Sequence, residues 1–153
     1  IVIGRTARYV SEADALDHVA GFAVGHDVSE RAFQRKRGGQ FVKGKSADTI
    51  APLGPWLVTP DATGDVQSLA ISSAVNGQAR QSSNTRHMIF GAATIVSYVS
   101  QFMTLNPGDL IYTGTPSGVG SARDPAVFLK PGDVVSLSIE KLGTQQQTIA
   151  PPP

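Results

Sequence analysis

Ser68-Leu69-Ala70-Ile71-Ser72-Ser73-Ala74-Val75-Asn76-Gly77-Gln78-Ala79-Arg80-Gln81 is the stretch from which the fold is read. Leu69, Ile71, Ser73 and Val75 alternate with polar or small partners, the period of a strand with one covered face. Asn76-Gly77 is the strongest short hairpin signal in the chain, since both residues accept the positive φ that a tight turn demands. The return strand is expected over 78–81.

Downstream, Ile95, Tyr98, Val99, Phe102 and Met103 sit at helical spacing, which predicts a helix with one apolar stripe, ended by Asn106-Pro107-Gly108. Leu105-Asn106-Pro107-Gly108-Asp109-Leu110-Ile111 is echoed by Leu129-Lys130-Pro131-Gly132-Asp133-Val134-Val135. Each copy is a Pro-Gly turn feeding a buried strand, the first running 110–112, the second to about Ile139, with a last strand near 145–149. The echo is a shared turn device and not a repeat architecture.

Upstream, Ile1–Ile3 is β-branched and strand-like. The chain opens there without methionine, in what reads as the second half of a strand, so a preceding N-terminal part of the polypeptide is expected. Ser11 and the early acids Glu12 and Asp14 predict a short helix over about 12–19. A buried strand over 21–25 then delivers the chain to Asp27, and a further strand is expected over 56–58. The expectation is one α+β domain over 1–150, dominated by β, with two short helices and a disordered Pro151-Pro152-Pro153 tail.

Composition narrows the function. Thirteen Lys and Arg against twelve Asp and Glu leave no overall field pointing to nucleic acid or membrane. The absence of cysteine removes zinc-thiolate sites and cysteine nucleophiles, and is compatible with a cytoplasmic enzyme. No apolar run approaches the roughly 20 residues a membrane helix needs. Ser29, Ser46 and Ser117 lack a Gly-x-Ser-x-Gly setting. Between Arg31 and Lys45 lie six cations and no acid, but one aromatic in each flank is a thin platform for nucleic-acid bases.

Chemistry concentrates in Gly25-His26-Asp27-Val28-Ser29-Glu30-Arg31-Ala32-Phe33-Gln34 and Gly44-Lys45-Ser46. The carboxylate of Asp27 suits Mg²⁺, Mn²⁺ or Ca²⁺, though Asp27 could equally cap a helix in a box with Glu30. Lys45, between Gly44 and Ser46, could stabilise an enolate or a carboxylate. The planar fork of Arg31 suits a carboxylate, or it could simply pair with Asp27 one turn away. Gln34 alone says little. His26 could act as a base but structural use is the plainer reading, and His18 and His87 carry no assigned role. Thr113-Gly114-Thr115-Pro116-Ser117-Gly118-Val119-Gly120 can present backbone N–H groups to an anion, and it spells neither a P-loop nor a dinucleotide fingerprint.

Taken together, Gly25-His26-Asp27-Val28-Ser29-Glu30-Arg31-x-x-Gln34, Lys43-Gly44-Lys45-Ser46-x-Asp48-Thr49, Pro52-Leu53-Gly54-Pro55-Trp56 and Thr113-Gly114-Thr115-Pro116-x-Gly118-Val119-Gly120 resemble the fumarylacetoacetate hydrolase family. Met88-Ile89-Phe90 and Pro107-Gly108-Asp109-Leu110-Ile111 add to the resemblance, which is collinear across nearly the whole chain. It implies the β-dominated mixed sheet roll of the family's C-terminal catalytic domain, and a homodimer. It also implies a divalent metal, most often Mg²⁺, held by Asp27 and by two glutamates of a Glu-x-Glu strand that would lie before Ile1. Lys45 and Arg31 match catalytic residues; Gln34, Gly114 and Thr115 match substrate-binding positions. A His–Glu pair that activates water in hydrolytic members would also lie before Ile1. The activity implied is metal-dependent hydrolysis of a C–C bond in a β-diketo or 2-oxo acid, such as an acylpyruvate or a diketo-deoxy sugar acid. Isomerase, oxaloacetate-type decarboxylase and ureidoglycolate-type lyase activities are alternatives, as is a catalytically inactive interaction module.

Overall fold

In a computed structural model, which describes residues 1–151, the hairpin is where the alternation puts it. Strands β3 (Ala70–Val75) and β4 (Gln78–Asn84) pair antiparallel around Asn76-Gly77, whose φ angles are 51° and 75°. Asn76 does more than turn the chain. Its side chain donates to Asp133 Oδ1 and accepts from Val134 N, both at 2.8 Å, and so pins the hairpin to the strand on its other side. That strand, β5 (Val134–Ile139), pairs with β3 in a register matching Ile71 to Ile139 and Val75 to Val135. With β6 (Gly143–Thr148) the order is β4-β3-β5-β6. The pleat turns Leu137 and Ile139 toward the core and leaves Ile71 half-buried beside Ile139, whereas Ser72 is exposed.

The second layer is less regular. β1 (Val2–Ile3) pairs with β2 (Val19–Gly21) on one side and, through single bridges, with Leu110 and the chain beside it on the other. The strands expected over 21–25, 56–58 and 110–112 exist as bridges and not as continuous ladders: Phe22 opposes Val58 and Gly25 opposes Leu53. Ile3, Phe22, Val24, Leu69, Val96 and Leu105 belong to one buried hydrophobic core.

Helices depart from expectation in three ways. The segment expected as a helix over 12–19 is only a 3-10 turn, Ala15–His18, because Ser11 Oγ bonds Asp14 locally and Val19 enters β2. Three α-helices form among the described residues where two were expected: α1 (Arg31–Lys36), α2 (Pro60–Thr63) and α3 (Ala92–Ser100). And α3 buries Ala92, Val96 and Ser100, small residues that let its backbone come close to the core, while Tyr98 and Phe102 from the expected stripe are 68% and 60% exposed. The Pro-Gly echo holds: Gly108 and Gly132 have φ of 93° and 90°, and Asp109 and Asp133 each accept from the backbone N–H three residues before them. Pro151 is exposed, and the rest of the tail lies outside the described residues.

Candidate active site

Asp27 is presented by a laced segment. Phe22 and Val58 exchange both backbone bonds, Gly54 N donates to Val24 O, and His26 N donates to Pro52 O, all within 2.8–3.0 Å. From behind, Gln145 and Gln147, on the same face of β6, reach the same segment. Gln145 Nε2 donates to Val24 O at 2.7 Å, and Gln147 Nε2 donates to Gln145 Oε1. Gln147 thereby turns its carbonyl oxygen to His26 Nδ1, 3.0 Å away, which places the ring hydrogen on Nδ1. Burial pushes the His26 pKa down, against the smaller upward pulls of this bond and of the Asp27 charge. His26 is therefore a neutral support for the turn at Asp27.

Lys45 arrives from the other direction. Glu30, whose carboxylate accepts from Ala32 N at 2.8 Å, caps α1 itself, so the expected box with Asp27 does not form. Glu30 N donates to Gly44 O, and a Cβ on the buried Gly44 would stand 2.6 Å from Gln34 Cβ. Glycine there lets the 3-10 turn Phe41–Gly44 lie directly on α1. The result is an ion pair: Lys45 Nζ stands 2.6 Å from Asp27 Oδ1, with the two side chains 31% and 43% exposed. Arg31 does not pair with Asp27 but donates to Gln34 Oε1 at 2.7 Å. Gln34 is buried, and its Nε2 has no partner among the described residues. A buried amide donor left free is costly unless something fills it.

The Gly-rich loop is held separately. Gln81 Nε2 donates to Thr115 Oγ1 at 2.8 Å and to Pro116 O at 2.7 Å. Arg123 donates to Gly118 O and to Arg80 O, and Gly118, at φ 113°, lies so close to β4 that a Cβ would fall 2.2 Å from Arg80 O. Gly114 and Thr115 line a cavity of about 730 Å³, within the usual size range of small-molecule sites. Asp27, Arg31, Gln34 and Lys45 do not line it; Gly25 and Tyr112 do.

Tyr112 is the residue sequence reasoning missed. Its ring packs so close to Gly25 that an added Cβ would lie 2.6 Å from it, and its hydroxyl donates to Ala51 O at 2.7 Å. Burial, then the Asp27 charge, raise its pKa, which keeps the hydroxyl protonated as a donor. Tyr112 thus connects the Gly-rich loop to the strand before Asp27 and to the segment after Lys45. Its position immediately before Thr113-Gly114 was the available signal.

The chain matches the family described as fumarylacetoacetate (FAA) hydrolase C-terminal over residues 1–150. It belongs to the fumarylacetoacetate hydrolase family. It is 55% identical to a 2,4-didehydro-3-deoxy-L-rhamnonate hydrolase of Sphingomonas sp. (strain SKA58), an alignment covering 98% of this chain and 53% of that protein. It is 53% identical to a mitochondrial oxaloacetate tautomerase of Bos taurus, over 94% of this chain and 46% of that protein. Among solved structures, the fumarylacetoacetate hydrolase of psychrophilic Exiguobacterium antarcticum superimposes with a TM-score of 0.94 at 43% identity, covering 98% of this chain and 53% of that one. The chain spans about half the length of these relatives, which are enzymes of hydrolase and tautomerase type. The mixed α+β architecture is that of the family's C-terminal domain.

The divalent metal that the resemblance implies meets one obstacle in the donor set. Asp27 offers a hard carboxylate oxygen, but the described residues hold no group of three His, Cys, Asp or Glu side chains that could bind a metal ion. These residues do not complete such a site.

Proposed function

We propose that this chain is the catalytic domain of a hydrolase that cleaves a C–C bond of a small anionic β-diketo or 2-oxo acid, such as an acylpyruvate or a diketo-deoxy sugar acid. What supports the reading above all is the meeting of Asp27 and Lys45 at 2.6 Å, together with a buried Gln34 whose amide donor has no partner among the described residues. In hydrolysis of an acylpyruvate, water adds to the acyl carbonyl, the C–C bond breaks, and the bonding pair passes to the pyruvate fragment as its enolate. A proton then returns to carbon to give pyruvate and a carboxylic acid. The Lys45 ammonium, held 2.6 Å from Asp27 Oδ1, is the group for the enolate charge, since a cation already fixed in place needs little reorganisation as that charge develops. Arg31 offers its fork to a carboxylate, Gln34 Nε2 a single directed bond, and the Gly114–Thr115 loop a further anchor for the substrate carboxylate.

Keto–enol interconversion needs the same enolate and no water, and the similarity to the oxaloacetate tautomerase favours it as a second reading. The deciding experiment gives the full-length protein acylpyruvates, a diketo-deoxy sugar acid and oxaloacetate, following pyruvate release and enol absorbance separately. Release of pyruvate from an acylpyruvate or the sugar acid supports hydrolysis, release from oxaloacetate alone marks decarboxylation, and enol exchange without release makes the protein a tautomerase. Neither, together with no heat on Mg²⁺ titration, leaves a non-catalytic interaction module.

Mg²⁺ dependence, with Mn²⁺ or Ca²⁺ as substitutes, is part of the proposal. Asp27 is one ligand, and carboxylates beyond the described arrangement must supply the rest. Titration calorimetry with Mg²⁺ on the full-length protein tests it. We further propose a cytoplasmic homodimer: Tyr98 and Phe102, edge to face at 5.6 Å and largely exposed, give an apolar surface for a second copy. Light scattering reads the mass. Among the described residues no helix is long and apolar enough to cross a membrane.

A further inference from the structure

The cavity beside Thr115 differs in kind from the charged cluster at Asp27. Its mouth is formed by exposed Thr113, Gly114 and Thr115 together with Ile89 and Phe90, which are 90% and 62% exposed. Deeper lie Ile71, Ile95 and Ile111, partly buried, and at the floor Phe22, Leu69 and Leu142, all buried. Carbon therefore makes up the floor and most of the deeper wall.

Four polar side chains on its wall, Gln67, Ser83, Asn84 and Thr85, already bond within the protein. Gln67 donates to Thr85 O and accepts from Ala92 N at 2.7 Å. Thr85 Oγ1 donates to Val66 O at 2.7 Å and accepts from Leu69 N at 2.8 Å. Asn84 Oδ1 accepts from Arg86 N at 2.9 Å, and Ser83 Oγ pairs with His87 Nδ1 at 3.2 Å. A hydroxylated chain entering here would give up its water bonds and find Gln67 and Thr85 already bonded, so only some of its hydroxyls could be paired again, the costly case for a buried polar group. An alkyl or aryl chain loses nothing and buries its surface.

We propose that this cavity is a subsite for an apolar tail, so that the 2-oxo acid the protein takes carries an aliphatic or aromatic acyl chain and not a polyhydroxylated one. The inference rests on the 2-oxo acid reading for the head group. It adds the tail, which neither Asp27 nor Lys45 can specify. Gly25 and Tyr112 join the two regions: both line the cavity, and Asp27 follows Gly25 by two residues. The geometry also assigns Phe90 as a specificity residue at the rim. Being exposed, it can be changed without cutting into the core.

The test is a binding series on the full-length protein in Mg²⁺-containing buffer: pyruvate, 2-oxobutanoate, 2-oxopentanoate and 2-oxohexanoate by calorimetry, with 2-oxogluconate and 1-hexanol as controls. The expected result is a Kd that falls about fourfold per added methylene, the equivalent of ~0.8 kcal/mol each. In Phe90→Ser the slope should fall to about twofold. 2-Oxogluconate should bind no tighter than pyruvate. A flat series, or 2-oxogluconate tighter than 2-oxohexanoate, overturns the proposal. If no 2-oxo acid binds while 1-hexanol does, and Phe90→Ser weakens it, the apolar subsite stands and the head-group reading falls. If 1-hexanol also fails to bind, both fall.

Discussion

The segment from Asp27 to Lys45 and the loop from Thr113 to Gly120 are built in opposite ways. The first carries its chemistry as charges on a short helix and a 3-10 turn, closed by an ion pair that solvent still reaches. The second carries almost no charge and is stapled to β4 by Gln81 and Arg123, with Gly118 lying against the strand. An exposed ion pair contributes little to stability, about 0–1 kcal/mol, whereas a glycine packed against backbone tolerates no added atom. The first region can therefore be changed at the expense of chemistry and the second mainly at the expense of structure. Such a division suits a site in which one wall supplies charge and the other shape.

The largest effect separates these two modes. Asp27→Asn and Lys45→Met, each in the full-length protein, should lower turnover by about 10²–10³-fold or more, the scale of losing one preorganised electrostatic group. Their stability should stay within about 1 kcal/mol of the parent, because the pair is exposed. Paired kcat measurements and urea denaturation check both halves. A mutant that keeps full turnover removes the proposed role; one that unfolds removes the division itself.

The converse comes next. Gly118→Ala must place a Cβ 2.2 Å from Arg80 O at φ 113°, where no flexible side-chain tip can give way, so a loss of about 3 kcal/mol is expected. Gly25→Ala meets the edge of the Tyr112 ring at 2.6 Å, and the ring can shift, so about 1–2 kcal/mol is expected. Denaturation midpoints rank the two, and the reverse order would show that Tyr112 and not β4 is the rigid wall.

These differences also explain what could be read without coordinates. The β3–β4 hairpin and the two Pro-Gly turns were legible because their signals are local: alternation, Asn-Gly, and a glycine at positive φ. Helix α3 was legible in place but not in facing, since Tyr98 and Phe102 satisfy helical spacing as well as Ala92 and Val96 do. Spacing cannot tell a core face from a face left open for a partner. In the site, Asp27 and Lys45 are 18 residues apart, and nothing in their spacing says that Gly44 brings them together; that contact depends on Glu30 N reaching Gly44 O. Tyr112 escaped notice for the same reason, since its partners Gly25 and Ala51 lie far away in sequence.

A smaller effect probes how much the uncharged wall contributes to binding. Gln81→Met keeps the volume but removes the bonds to Thr115 and Pro116. The loop should lose its fixed orientation, at about 1 kcal/mol. The expected signature is KM raised about fivefold with kcat nearly unchanged. A fall in kcat alone would mean that Thr115 acts on the reacting atoms and not on substrate position.

The weakest effect belongs to pH and to the charged wall. His26 has its pKa pushed below its ordinary 6.5, first by burial, with the Gln147 bond and the Asp27 charge opposing. Below 6.5 the unfolded chain binds a proton at this imidazole that the folded one resists, so protonation favours unfolding. The contribution of His26 to stability is therefore fully present above 6.5 and declines as pH falls from there toward the lower folded value. Denaturation midpoints should drop between neutral pH and pH about 5, and His26→Gln, which cannot take up that proton, should reduce the slope. Should the variant keep the full slope, the pH response comes from elsewhere. Should it lose turnover with its stability intact, His26 is more than a support and joins Asp27 and Lys45 in the chemistry.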